Sequence, residues 1–150
     1  MDLVLRPTEE ADLPVLFEHQ ADSEAAAMAA VASREWDAFV EHRRTTDADP
    51  ATTRRTIVVD GEVVGGVGSW PAAPDERDVG YWIGRGHWGR GIATEALRAF
   101  LEIDLSRPMF AHVAVHNAGS RRVLEKCGFA FVREETADDG VVEQLFRLDG

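Results

Sequence analysis

Gly84-Arg85-Gly86-His87-Trp88-Gly89-Arg90-Gly91 packs four glycines into eight residues. The segment lies between a strand-type run, Val79-Gly80-Tyr81-Trp82-Ile83, and a helix-type run from Ile92 to Leu101 with Ala93, Leu97, Phe100 and Leu101 on one face. A strand, a glycine loop and a helix in that order bring several backbone N–H groups and the positive end of a helix dipole to one point, where an anion can sit. From Tyr81 to Thr94 the only charges are Arg85 and Arg90, in a chain whose formal net charge is −11. The contrast predicts a local anion site; the alternative is a glycine-rich turn carrying two solvated arginines.

Residues 84–89 also satisfy the dinucleotide fingerprint GxGxxG. That fold needs the loop after the first strand of a parallel sheet and an acidic residue closing the next strand. Here hairpin signals precede the loop and the following strand ends at His116-Asn117. Asp104 has roughly the right spacing but falls at a helix end.

Leu3-Val4-Leu5 predicts a first strand, and Asp12 is placed to cap a helix with Pro14 in its first turn. Residues 21–32 are alanine-rich without an apolar period. Ser33 is placed to cap a helix with Trp36, Phe39 and Val40 on one stripe, and 45–53, polar and containing Pro50, predicts a mobile loop over a cleft. Asp60-Gly61 between Thr56–Val59 and Glu62–Val64 is a hairpin signal. The second strand runs on to Trp70, its glycines marking a bulge or a close chain approach, and 71–77 predicts the next turn. After the loop come a helix ending before Pro108, a strand over 110–115 and a helix capped by Asn117 that stops at Gly128. A hairpin of 129–133 and 141–148 closes the chain. The result is a mixed α/β single domain over 1–150, with antiparallel hairpins around one strand–loop–helix–strand unit.

A chain of 150 residues, 45% hydrophobic, buries a core without staples, and Cys127 alone can form no internal disulfide. No secretion signal follows Met1 and no apolar run approaches the ~18 residues of a membrane span, so a cytoplasmic location is expected. The acidic balance disfavours nucleic-acid partners, which require many phosphates to be neutralised, and steers cationic amines inward.

Trp88-Gly89-Arg90-Gly91-Ile92-Ala93-Thr94-Glu95-Ala96-Leu97 resembles the pyrophosphate-binding motif of the GNAT superfamily of acyl-CoA-dependent N-acetyltransferases, Gln/Arg-x-x-Gly-x-Gly/Ala. Gly91 and Ala93 match; Trp88 replaces the usual Gln or Arg, as in the RimJ/RimL-like branch of ribosomal-protein N-terminal acetyltransferases. Asn117 to Phe129 is similar to that branch's Asn-x-x-Ser…Glu-Lys-x-Gly-Phe segment. The resemblance covers nearly the whole chain. It implies a mostly antiparallel, splayed sheet of about seven strands flanked by about four helices, with acetyl-CoA and an amine acceptor as partners in a monomer or homodimer.

By the same resemblance, the backbone N–H groups of Gly89, Arg90, Gly91, Ile92, Ala93 and Thr94 hold pyrophosphate, and Trp88 and Ser120 also belong to the cofactor-binding set. Tyr81, Trp82 and Ile83 pair with the pantetheine arm, and Asn117 touches the cofactor. Direct transfer also needs a proton for the departing thiolate and a base for the attacking ammonium. The family's usual tyrosine acid falls at Leu124, and the branch's serine falls at Ser120. The branch's glutamate base falls at Arg85, which cannot take a proton, leaving Asp78, Glu24 or Glu35 acting through water. Tyr81 is a candidate for the acceptor cleft. A different class of protein, a non-catalytic acyl-CoA sensor or interaction module, would keep the cofactor motifs and lack turnover.

No metal site is expected, because His112 and His116 lie roughly 13 Å apart on a strand. His87 could touch a phosphate. Cys127 is expected to be a small packing residue and not a nucleophile.

Overall fold

The computed structural model describes residues 1–30 and 33–150. The chain runs β1 (Leu3–Arg6), α1 (Leu13–Ala21), α2 (Ser23–Ala29), α3 (Trp36–Ala48), β2 (Thr53–Val59), β3 (Glu62–Ala73), β4 (Glu76–Ile83), α4 (Ile92–Ile103), β5 (Met109–Ala114), α5 (Ala118–Lys126), β6 (Ala130–Thr136) and β7 (Val142–Leu148). Seven strands form one sheet in the order β1-β2-β3-β4-β5-β7-β6. Every pairing is antiparallel except β4 with β5, which is parallel and covers only Arg77–Met109 and Asp78–Phe110. Beyond Asp78 the two strands diverge, so among the described residues no strand pairs with the β5-facing edge of residues 79–83.

The glycines of β3 explain how closely that strand lies to its neighbours, Gly65 to β4 and Gly68 to β2. A Cβ on Gly65 would collide with the Trp82 carbonyl, and one on Gly68 would come 3.0 Å from the Thr53 carbonyl. α4 packs on one face of the sheet through Ile92, Ala96, Leu97 and Phe100, each at most 2% exposed, together with Leu124 of α5. The other face is covered by Leu13, Leu16 and Phe39 from α1 and α3. Asp12 stands at the start of α1, but its side chain does not cap the helix. It accepts two hydrogen bonds from Arg6, at 2.7 and 2.8 Å, one from Glu9 N at 2.8 Å and one from Thr56 Oγ1 at 3.1 Å, tying β1 and β2 to the entry of α1.

Four sequence expectations need correction. α3 continues to Ala48, so the mobile loop expected over 45–53 shrinks to 49–52. Asp47 bridges Arg43 at 3.6 Å and Arg54 at 3.1 Å, and those contacts extend the helix. The turn expected over 71–77 is limited to 74–75, because Arg77 bonds back to the Ser69 carbonyl and hydroxyl, and Ser69 to Asp104. The alanine-rich segment contains α2, whose start is capped by Asp22 accepting from Ala25 N and whose end is left-handed at Ala30; residues 31–32 of that segment lie outside the described ones. Alanine has high helix propensity and gives little amphipathic signal. Ser33 caps nothing: α3 starts at Trp36, with Glu35 at its cap position.

Candidate active site

Where β4 and β5 part, a cleft of about 550 Å³ opens between the strand edge, the glycine loop, the start of α5 and α2. Tyr81, Trp82, Ile83, Trp88, Gly89, Gly91, Ile92, Ala93, Thr94, Asn117 and Ser120 all line it. Arg90 does not; its guanidinium contacts His87 Nδ1 at 3.3 Å. A second depression, about 690 Å³ between α1 and α3, shares no lining residue with the cleft.

Local chemistry makes the loop receptive to an anion. Gly89 and Gly91 both sit at φ +77°, a conformation costly for residues with a Cβ. Gly91 caps α4 without a side chain, and the first backbone bond of the helix is Glu95 N to Gly91 O at 3.1 Å. The N–H groups of Ile92, Ala93 and Thr94 therefore precede the helical ladder and lie at the positive end of its dipole. Trp88, in place of the family's Gln or Arg, closes the loop by donating its indole N–H to the Ile83 carbonyl at 2.9 Å. Trp82 also lines the cleft, and its Nε1 is buried with no hydrogen-bond partner among the described residues.

Across the cleft, the Asn117 side chain accepts from Ser120 N at 3.2 Å, so it is a true helix cap. The Ser120 hydroxyl lies 2.6 Å from the Tyr81 phenol, which also donates to the Ser120 carbonyl at 3.2 Å. Burial pushes the Tyr81 phenol up to about 12, with the Ser120 hydrogen bond opposing, so it keeps its proton. Leu124, at the usual tyrosine position, is core. Cys127, half-buried, meets Thr94 O at 3.6 Å, and burial raises its thiol, as suits a packing residue.

Arg85 is a strut. It bonds to Asp22, the cap of α2, at 2.9 Å and to Glu24 on α2 at 3.1 Å, which occupies Glu24, one of the candidate bases, while His116 Nε2 lies 3.0 Å from the Ala27 carbonyl. These contacts hold α2 over the cleft, where Ala25, Met28 and Ala29 form part of its wall. Sequence reading missed Arg122 and Lys126 as lining cations, although Gly119, Arg122, Val123 and Lys126 follow helical spacing on one face of α5.

Asp78 lies outside the cleft lining, at the last paired position before the splay. It is 7% exposed, and its Oδ2 is 3.3 Å from His112 Nε2, which also lies 3.2 Å from Glu76 Oε2. Glu135 Oε1 stands 3.4 Å from His112 Nδ1. Burial and then the Glu76 hydrogen bond push the Asp78 carboxyl up to about 7, against the pull of His112. Burial alone would lower His112; the Glu76 hydrogen bond and the charges of Asp78, Glu76 and Glu135 outweigh it and hold the imidazole above its ordinary value. Spacing along one strand could not reveal this group, because it forms across β4, β5 and β6.

The description "Acetyltransferase (GNAT) domain" belongs to the family model that matches residues 2–130. "Probable N-acetyltransferase YjcK" of Bacillus subtilis (strain 168) is 42% identical over 73 residues, 43% of this chain and 40% of that protein. "Putative ribosomal N-acetyltransferase YdaF" of the same organism is 39% identical over 71 residues, 44% of this chain and 37% of that protein, and supports the RimJ/RimL-like branch. The matched stretch thus spans less than half the length of these curated relatives. Spermidine N-acetyltransferase from Vibrio cholerae, solved with CoA and spermine, superposes with a TM-score of 0.85 over 98% of this chain and 95% of that chain, at 19% identity, a likeness of fold. With a splayed seven-stranded sheet, a glycine-loop helix at the splay and a family match over most of its length, this chain belongs to the GNAT acetyltransferase domain family.

Proposed function

We propose that the domain is an acetyl-CoA-dependent N-acetyltransferase that passes an acetyl group to a primary amine, a peptide N-terminus or a small molecule, by direct attack within a ternary complex. The observation that carries this reading is the β4 edge without a neighbouring strand among the described residues, leading straight to the N-terminus of α4, which no side chain caps, within one cleft. Backbone N–H groups from Gly89 to Thr94 hold the pyrophosphate, with Arg90, Arg122 and Lys126 as nearby cations. The edge of Tyr81, Trp82 and Ile83 pairs with the pantetheine amides as a missing strand would, and an N–H of that edge polarises the carbonyl. Acetyl-CoA supplies the thioester whose C–S bond breaks as the C–N bond forms. The Ser120 hydroxyl, backed by Tyr81 at 2.6 Å, gives a proton to the departing sulfur. Asp78, at the closed end of the splay and outside the cleft lining, takes the proton lost by the amine through water.

Two relatives bear names that point to different acceptors, a ribosomal protein and spermidine. The net charge of −11 favours a cationic acceptor of either kind. Incubating the protein with acetyl-CoA and a panel of N-terminal peptides and polyamines, while following free thiol, tests the reading. Amine-dependent CoA release is expected. Tight acetyl-CoA binding with no transfer to any acceptor would leave a sensor module instead.

A further inference from the structure

The group at the closed end of the splay has the chemistry of a metal site. Glu76 and Asp78 are two apart on β4 and share a face of the sheet. His112 is two residues beyond Phe110, the β5 partner of Asp78, so it reaches the same face on the diagonal. One donor atom from each of the three lies within 4.8 Å of the others. His112 Nε2 is 3.2 Å from Glu76 Oε2 and 3.3 Å from Asp78 Oδ2. Ligands bonded at the usual zinc distances stand about 3.3 Å apart along a tetrahedral edge, so these donors need little movement to share one ion.

Two further features point to a ligand. Asp78 is 7% exposed, and its Oδ1 is buried with no hydrogen-bond partner among the described residues, a costly arrangement for a carboxylate unless a cation meets it. Glu135 Oε1, 3.4 Å from His112 Nδ1, is placed to accept that N–H and turn the Nε2 lone pair toward the carboxylates, as the outer partner of a metal-bound imidazole does. Arg133 anchors Glu135 from the far side at 3.0 Å. The side chains of Glu76 and His112 remain 28% and 29% exposed, so an ion and its waters have an entry path. Two carboxylates with one imidazole suit borderline transition cations better than calcium or magnesium, which favour all-oxygen shells.

From this geometry we infer that Glu76, Asp78 and His112 bind a divalent transition cation of the zinc or cobalt class, with Glu135 positioning the imidazole. The site stands apart from the cofactor cleft and does not depend on the transferase reading. Its consequence for activity does rest on that reading: an ion held by the Asp78 carboxylate occupies the group assigned to take the amine's proton, so metal and amine compete.

The test is calorimetric titration of the intact protein with Zn2+, and a visible-absorption titration with Co2+, after treatment with a chelator. Expected are one ion per chain and a cobalt spectrum of low coordination number. His112→Ala should lower affinity by more than about tenfold and Glu135→Gln by about 10- to 100-fold. Unchanged circular dichroism and acetyl-CoA affinity in both variants exclude misfolding. His42→Ala, on α3, should leave metal binding as it was. No binding up to millimolar metal, or binding that survives both His112→Ala and Glu76→Gln, overturns the inference. So does failure of both metals alongside binding of 1,4-diaminobutane that Glu76→Gln weakens, which would assign the cluster to an ammonium group. Metal binding that leaves acetyl transfer uninhibited would uphold the site and remove Asp78 from the chemistry.

Discussion

Gly91→Ala separates the strain of the glycine loop from its contact with a ligand. Gly91 sits at φ +77°, and a Cβ built there meets nothing within 4 Å, so the free protein has room for the methyl group. The stability cost is then conformational, about 1–2 kcal/mol for a side chain in the left-handed region. At this chain length that lowers the melting temperature by roughly 2–8 °C. The methyl group projects from the helix cap at which Ile92, Ala93 and Thr94 present their N–H groups to the cleft. Loss of one charge-assisted hydrogen bond to phosphate, about 1.5–3 kcal/mol, raises the acetyl-CoA Kd about 10- to 150-fold. Gly86→Ala is the control: its Cβ also meets nothing within 4 Å, its φ lies outside the left-handed region, and it does not line the cleft. Thermal melts and calorimetry on the two variants give stability and affinity separately. A Kd for Gly91→Ala within about twofold of the parent, alongside the expected melting shift, would show strain without ligand contact and refute the loop as the anion cradle.

Ser120→Ala and Tyr81→Phe should each keep acetyl-CoA affinity and slow transfer by up to about 10²-fold, the lower end for a general acid because a thiolate leaves readily; unchanged kcat in both would remove the pair from the mechanism. Asp12 is held below the ordinary carboxylate range, first by the Arg6 hydrogen bonds and against burial. Its contribution is present above about pH 4 and fades as pH falls through the lower folded value. Asp12→Asn should therefore cost about 1–3 kcal/mol at pH 7 in urea melts and flatten the acid limb of the stability curve; an unaltered acid limb would show that the stability lies elsewhere. Phe100→Ala, at a site with 0% exposure, should cost about 3–5 kcal/mol by the same melts, and a loss below 1 kcal/mol would mean the core refills. Arg85→Glu sets three acids together where α2 is now held, so acetyl-CoA should bind about two- to fivefold more weakly, an effect that salt reduces; a faster rate in that variant would instead mark position 85 as a base.

The parts legible in the sequence are those built from neighbours in the chain. Asp60-Gly61 gave its hairpin because the turn geometry lies in two residues, with Asp60 at φ 50° and Gly61 at 83°. The cap at Asn117 and the left-handed stop at Gly128, φ +94°, follow from the same local chemistry. What was misread depended on distant partners. Asp12 is a plausible cap by position, yet Arg6 and Thr56 claim its oxygens. The polar stretch after Arg44 stays helical because Arg54, on another element, holds Asp47.

The same division runs through the candidate site. The half proposed to hold the cofactor is mostly one continuous segment, 81–94, joined by the opening of α5, so motif spacing locates it. Its other half is assembled sideways, from Glu76 and Asp78 on β4, His112 on β5 and Glu135 on β6, and no interval along the chain encodes that meeting. Sheet register encodes it: pairing Asp78 with Phe110 places His112 on the diagonal, and the end of β4–β5 pairing at that point also opens the cleft. One register therefore positions both the carboxylate cluster and the strand edge that lines the cleft. Arg85 shows the converse, since a residue in the place of a glutamate base has become the clamp on α2. The proposed mechanism therefore assigns proton acceptance to Asp78 beside the splay, the position that the calorimetric and transfer assays test.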